Sequence, residues 1–388
     1  MKDSELIARA FASAPRAANF RLLEAARLDE HLQGHAFKYA AASSRIQGVY
    51  RYRLTYAVAG SASPRAVEVM VKAKPDEADI IRVYQGLLDH AGIKLRQPLP
   101  ELLRDSDYSK PNLKETRLFR DYHEKLSPFL PPSWGEYVDE ASGYTLRLEE
   151  VLPPGSLIID PSDDTMQRWQ PSFSDLTLRG IAQVHACFYG DYDELVRTGA
   201  FFVCDREVMV RGTELWEALA EFVIGTFPDV VTSELARKHR RLIATLPEWY
   251  AEVDCLPKTL LYGDVNPQNL AFALQESGGF KLSLFDWERA TISVPERDLA
   301  EHLVYTLPLA FSEEEARAEI AAYVDAFGAA AKRQLVDTRA SLDWMLSDLI
   351  INRLPLMMVV KHVAGKRQHA GEAYVKAHRL RETLNGRQ

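Results

Sequence analysis

Apolar and polar residues alternate with a period of two over Val49–Val58 and again over Ala66–Lys72, on either side of the turn Gly60-Ser61-Ala62-Ser63-Pro64. That pattern predicts a β-hairpin. In its second strand Val67, Val69 and Val71 share one face, and Glu68, Met70 and Lys72 share the other. A second hairpin is predicted from two apolar runs, Leu270–Leu274 and Leu282–Phe285, separated by Gln275-Glu276-Ser277-Gly278-Gly279. Folding it between Ser277 and Gly278 sets Asn269 opposite Asp286. Elsewhere the period is helical. Helices are expected over residues 4–32, near 79–89, and over 114–126, where Glu115, Phe119, Tyr122 and Leu126 form one stripe. Another starts after Ser174 as N-cap, with Leu178, Ile181, His185 and Phe188 on its inner stripe. Ser312 followed by three glutamates reads as a further cap. A last helix is expected over Ser341–Ala364, kinked or broken at Pro355.

After the N-terminal helix a hairpin comes early and helices dominate the rest, and 388 residues exceed what one core comfortably fills. The expectation is an α+β chain in two lobes. Residues 1–149 form the smaller lobe, with an antiparallel sheet, an N-terminal helical extension and an inserted segment at about 75–113. Residues 150–388 form the larger, mostly helical lobe.

The chemistry concentrates around the second hairpin. Tyr262-Gly263-Asp264-Val265-Asn266-Pro267-Gln268-Asn269 precedes it and Phe285-Asp286-Trp287-Glu288 follows. An amide oxygen and a carboxylate brought together by a hairpin, with a second carboxylate on the loop before, make a hard oxygen set suited to Mg²⁺ holding polyphosphate. At these residues the chain resembles the aminoglycoside phosphotransferase and choline-kinase-like small-molecule kinases. Gly263-Asp264, Asn269, Asp286-Trp287-Glu288 and the Asp298-Leu299-Ala300 helix start match the family pattern, and Tyr262 stands where the family has His. The likeness is specific over residues 262–300.

The resemblance implies a bilobal protein-kinase-like fold and transfer of the γ-phosphoryl group of ATP, with GTP as the alternative donor, to a small-molecule hydroxyl. It implies that Asp264 orients the acceptor hydroxyl and that Asn269 and Asp286 hold Mg²⁺. Asn266 and Glu288 are secondary candidates. Val69-Met70-Val71-Lys72 is similar to the kinase lysine strand, which sets Met70 near the base and Lys72 on the phosphates, with Lys74 as the substitute on the same face. Glu115, a carboxylate on an apolar stripe, needs a cation, and Lys72 is the expected partner. The loop Ser43-Ser44-Arg45-Ile46-Gln47-Gly48 lacks the full glycine pattern but offers the Ser43 and Ser44 hydroxyls to phosphate. Glu149 and Val151, in the interlobe stretch Tyr144–Leu152, are assigned to adenine through their backbone. His185 is expected to be a hydrogen-bonded core residue. Two other readings stay open: phosphorylation of Ser or Thr in a peptide, and a nucleotide-binding scaffold without catalysis.

Net charge is −8, so no basic field argues for nucleic acid. Cys187, Cys204 and Cys255 stand far apart and read as free thiols. The longest apolar run near the C-terminus, Leu354–Val360, is far short of the ~20 residues of a membrane span. These features fit a cytoplasmic protein. The basic residues from Lys366 to Arg381 are expected on a solvated helix face.

Overall fold

A computed structural model describes residues 3–14, 19–28, 45–159, 164–365 and 371–386. The smaller lobe is a five-stranded antiparallel sheet in the order β1-β2-β3-β5-β4, built from β1 (Phe20–Arg27), β2 (Gly48–Val58), β3 (Arg65–Lys74), β4 (Ser133–Asp139) and β5 (Tyr144–Glu150). Helix α1 (Asp3–Ala12) lays Leu6, Ile7 and Phe11 against one face, where Leu54, Val69, Val71, Leu146 and Leu148 complete a separate core. Gly135, at φ 118, is required for this packing, because a Cβ there would collide with the carbonyl of Ala10.

The helix expected over residues 4–32 is therefore only its first part; Phe20–Arg27 is an edge strand. Its Leu-, Ala- and Arg-rich sequence favours a helix, but pairing with β2, from Phe20 opposite Val58 to Arg27 opposite Tyr52, outweighs that weak local preference.

Between β3 and β4 run α2 (Glu77–His90), α3 (Leu99–Leu102), α4 (Pro111–Asp121) and α5 (His123–Leu126). The helix expected over 114–126 is broken at Tyr122 into α4 and α5, yet its stripe persists, since Glu115, Phe119, Tyr122 and Leu126 are all buried. Leu88, Leu102, Tyr108, Leu118 and Leu126 of this segment join the hydrophobic core of the larger lobe, not that of the sheet.

The chain leaves the sheet after Glu150 and enters a three-stranded sheet, β6 (Leu157–Ile158), β8 (Leu270–Leu274) and β9 (Phe280–Leu284). Strands β7 (Thr259–Leu261) and β10 (Thr291–Ser293) pair as a separate two-stranded antiparallel ribbon. The remainder is helical: α6 (Pro171–Ala186), α7 (Asp193–Arg197), α8 (Arg206–Arg211), α9 (Thr213–Thr226), α10 (Ser233–Ala244), α11 (Leu246–Asp254), α12 (Glu296–Thr306), α13 (Glu313–Ala331), α14 (Thr338–Ile351), α15 (Arg353–Val363) and α16 (Glu372–Leu384). No helix among the described residues is long and apolar enough to cross a membrane. The expected α+β architecture, with an antiparallel sheet in the smaller lobe and a mostly helical larger lobe, is the one observed.

Several local expectations shift. Helix α6 begins at Pro171, whose missing N–H costs nothing in a first turn, so Ser174 lies inside it and accepts from the Trp169 indole at 3.1 Å. Ser312 does cap α13, in a reciprocal capping box with Glu315. The long C-terminal helix breaks at Asn352, three residues before Pro355, which then occupies the first turn of α15. Of the basic C-terminal residues, Lys366, Arg367 and His369 lie outside the described residues. Lys376 and His378 are buried instead of solvated, because α16 packs on the main core and Lys376 donates to the Leu307 carbonyl at 2.8 Å. All three cysteines are free.

Candidate active site

The second face of the five-stranded sheet carries charge, exposed at Arg51 and Arg53 but buried around Lys74, Arg147 and Glu149. Strand parity places Met70, Lys72 and Lys74 there, and β5 adds Arg147 opposite Lys72 and Glu149 opposite Met70. Helix α4 brings Glu115 to this face. Lys72 Nζ lies 3.0 Å from Glu115 Oε1 and 2.6 Å from Asp286 Oδ1. The expected Lys72–Glu115 pair is thus formed, but Glu115 is shared: Lys74 Nζ and an Arg147 nitrogen each lie 2.7 Å from its Oε2. Lys74 also reaches Asp286 at 3.2 Å and Glu288 at 2.8 Å. Arg147 lies over the Phe119 ring at 3.9 Å and holds Glu149 at 2.7 Å. Sequence reasoning missed Arg147; the signal was its parity on β5, opposite the lysine of β3.

Burial works against every charge in this cluster, and the pairings overcome it for most of them. Burial disfavours the Lys72 ammonium, yet Asp286 and Glu115 hold its pKa above the ordinary lysine value. Burial would neutralise Glu115, but Arg147, Lys72 and Lys74 keep its pKa well below the usual carboxylate range. Asp286 is likewise held low by the two lysines against burial. Glu288 is the exception: burial raises it despite Lys74.

The catalytic-loop candidate is fixed from three sides. Asp298, fully buried near the start of α12, accepts from the backbone N–H of Tyr262 at 2.8 Å and of Gly263 at 3.0 Å. His185 of α6 meets the same carboxylate at 3.0 Å and Tyr323 at 2.7 Å, so it is a hydrogen-bonded core histidine, as expected. The Tyr262 hydroxyl contacts the carbonyl of Phe285 and lies 3.1 Å from that of Asn269. Tyrosine in place of the family histidine therefore still ties the loop to the hairpin. Gly263 adopts φ 78, and a Cβ there would strike the Arg289 carbonyl. The Val265 N–H donates to Glu301 at 2.8 Å.

Asp264 follows this brace, mostly buried, with Oδ1 2.5 Å from a guanidinium nitrogen of Arg353. Arg353 Nε faces Glu301 at 3.3 Å. Burial raises Glu301 to about 7, against the pull of Arg353. Neither Arg353 nor Glu301 was singled out from the sequence, since their helices show only packing patterns. Asn266 spends its side-chain oxygen on the Gln268 N–H at 3.3 Å, closing the turn.

The hairpin register differs by one residue from the expected one. Leu270 pairs with Leu284 and Ala271 with Ser283, so Asn269 continues opposite Phe285, whose N–H donates to the Asn269 carbonyl at 3.0 Å. The loop Gln275–Gly279 is closed by the Gln275 N–H on the Gly279 carbonyl, which centres the turn on Ser277. Asp286 follows in the left-handed region at φ 59, and this bend aims its carboxylate at Lys72 and Lys74. Val151 directly follows β5 with its N–H on the Glu68 carbonyl at 3.4 Å. Ser43 and Ser44 lie outside the described residues.

Among curated proteins no sequence matches the chain. Solved structures similar to it include the choline kinase LicA from Streptococcus pneumoniae, at 12% identity over 94% of each chain and a TM-score of 0.45. A microcompartment-associated aminopropanol kinase matches at 11% identity over 99% of this chain and 98% of that one, with a TM-score of 0.48. The APH(2") enzyme solved with GDP and kanamycin matches at 12% over 98% and 97%, with a TM-score of 0.48. Residues 204–335, which hold Asp264, Asn269, Asp286 and the bracing Asp298, match the model of the phosphotransferase enzyme family, in line with the resemblance read from residues 262–300.

Proposed function

We propose that the protein is an ATP-dependent phosphotransferase, with GTP as the alternative donor, that moves the γ-phosphoryl group to a hydroxyl of a small molecule. The observation that carries this reading is Lys72, which joins a sheet strand to Glu115 on one side and to hairpin Asp286 on the other. In phosphoryl transfer such a lysine neutralises phosphate oxygens while a helix glutamate fixes its position.

The cluster of Lys72, Lys74 and Arg147 against Glu115, Glu149, Asp286 and Glu288 holds one more carboxylate than cations. A polyphosphate therefore needs an added cation to settle there. Asn269 and Asp286 supply hard oxygens that fit Mg²⁺, and both lysines take the same Asp286 oxygen, Oδ1. When bound, Mg²⁺ would neutralise charge on the phosphates.

Asp264 orients the acceptor hydroxyl and takes its proton as the oxygen bonds to the γ-phosphorus and the bond to the β-bridging oxygen breaks. Arg353 and the Asp298 brace hold that carboxylate in place, so most of the protein's contribution is positioning. Met70, with the backbone of Glu149 and Val151 where the chain crosses between lobes, is assigned to the nucleotide base. Ser43 and Ser44 are assigned to the phosphates and Asn266 to a supporting contact. Residues 1–149 and 150–388 would act as the two lobes that close on nucleotide.

Asp264→Asn tests the reading. Transfer should fall by at least about a thousandfold in kcat while Mg·ATP affinity stays within about threefold of wild type. Normal turnover in that variant would refute the mechanism.

A further inference from the structure

Resting on the phosphotransferase reading, we propose that Tyr108, Arg289 and Arg353, grouped beside Asp264, bind an anionic group of the acceptor molecule, a carboxylate or a phosphate. Gly263, immediately before Asp264, is pressed against the backbone of Arg289. The Arg289 guanidinium stacks on the Tyr108 ring at 4.1 Å, and Tyr84 of α2 meets that ring edge-on at 5.7 Å. The segment between β3 and β4, whose role the sequence left unread, thus walls the acceptor side of the catalytic loop.

Arg289 and Arg353 each spend one terminal nitrogen, on Asp107 and Asp264, but other donors here are free. The Tyr108 hydroxyl and Arg289 Nε are buried and hydrogen-bond to no described residue, and Arg353 Nε faces Glu301 out of alignment. Buried polar atoms are normally partnered, because leaving one without a partner costs free energy that a ligand oxygen recovers. Guanidinium N–H groups only donate, so the missing partner is rich in acceptor oxygens. Arg289 and Arg353 also lie close enough to repel each other electrostatically, and an anion between them relieves that. The carboxylates facing this group are already taken: Asp107 by Arg289 and Arg297, Asp264 by Arg353, and Glu301 by Arg353 and the Val265 N–H. A cationic acceptor would meet arginines, not open carboxylates.

The test uses the full chain with Mg·ATP and follows ATP consumption with glycerate and glucose 6-phosphate, against choline, kanamycin and glucose. The anionic alcohols should be consumed at lower KM than the cationic and neutral ones, and the better of the two anions identifies carboxylate or phosphate. Tyr108→Phe keeps the stacked ring and loses only the unpartnered hydroxyl. Its unfolding midpoint and nucleotide KM should match wild type while the acceptor KM rises about ten- to a hundredfold, the loss of one hydrogen bond to a charged group. Preference for choline or kanamycin, or an unchanged acceptor KM in Tyr108→Phe, would overturn the proposal. If Mg·ATP neither binds nor is consumed, the phosphotransferase reading fails instead. Calorimetry of the two anions without nucleotide then decides this site: weaker binding by Tyr108→Phe supports it, and no binding by wild type overturns it.

Discussion

Asp298→Asn should loosen the catalytic loop without removing any group that touches substrate. The wild-type carboxylate accepts three hydrogen bonds while fully buried: Tyr262 N–H on Oδ2, Gly263 N–H on Oδ1, and His185 on Oδ2. An amide keeps one oxygen and turns the other position into a donor, which then faces a backbone N–H. One buried N–H loses its partner at about 1–3 kcal/mol, and the opposed donors add to that cost. The expected loss of stability is about 2–4 kcal/mol, measured as the shift in urea unfolding free energy at constant m-value. Because the freed N–H belongs to the residue before Asp264 or the one before that, kcat should fall about tenfold or more, since small displacements of a positioned base are costly. Nucleotide affinity should change little, as Lys72, Glu115 and Asp286 are held by other contacts. Wild-type stability and wild-type kcat together in Asp298→Asn would show that the brace carries no load, and the reasoning would fail.

The two lysines should separate by role. Lys72→Met should abolish transfer at a modest cost in stability, whereas Lys74→Met strips Glu288 of its cation and should cost about 3 kcal/mol, read from paired turnover and unfolding measurements. Asp286→Ala should remove Mg²⁺-dependent nucleotide binding and Asn269→Ala should weaken it less, because the charged ligand dominates; calorimetric titration of Mg·ATP with unchanged affinity in Asp286→Ala would remove it from the site. Burial raises Glu296 to about 7, with Ser341 and Thr338 only partly offsetting it. The folded state then binds a proton that the unfolded state has released, so stability should fall as pH rises from about 4.5 to about 7 and level off above. Glu301 is raised over the same range, so Glu296→Gln should remove only the share of that slope due to Glu296, worth roughly 3 kcal/mol; a parallel pH profile in the variant would refute the assignment.

What the sequence by itself determined was local. Alternation in β3 set Lys72 and Lys74 on one face and the valines on the other, and the stripe 115, 119, 122, 126 marked Glu115 as an inward carboxylate. The motif around Asp264, Asn269 and Asp286 marked the candidate site, because turn-forming and oxygen-bearing residues leave a compositional trace. The hairpin register slipped by one, since which residue centres a five-residue turn is decided by a single closing hydrogen bond that composition does not encode. Edge strand β1 was misread as helix because its pairing partner lies more than twenty residues away, beyond any local propensity. Only the tertiary structure brought Arg353, Glu301 and Arg147 to the site. Arg353 and Glu301 sit in helices whose pattern records packing alone, and the parity of Arg147 on β5 gains meaning only once β5 pairs with β3; what each does arises from what the fold sets against it. The same holds for the segment from Tyr84 to Tyr108: its role is a matter of contact with Arg289, which lies some 180 residues away in sequence.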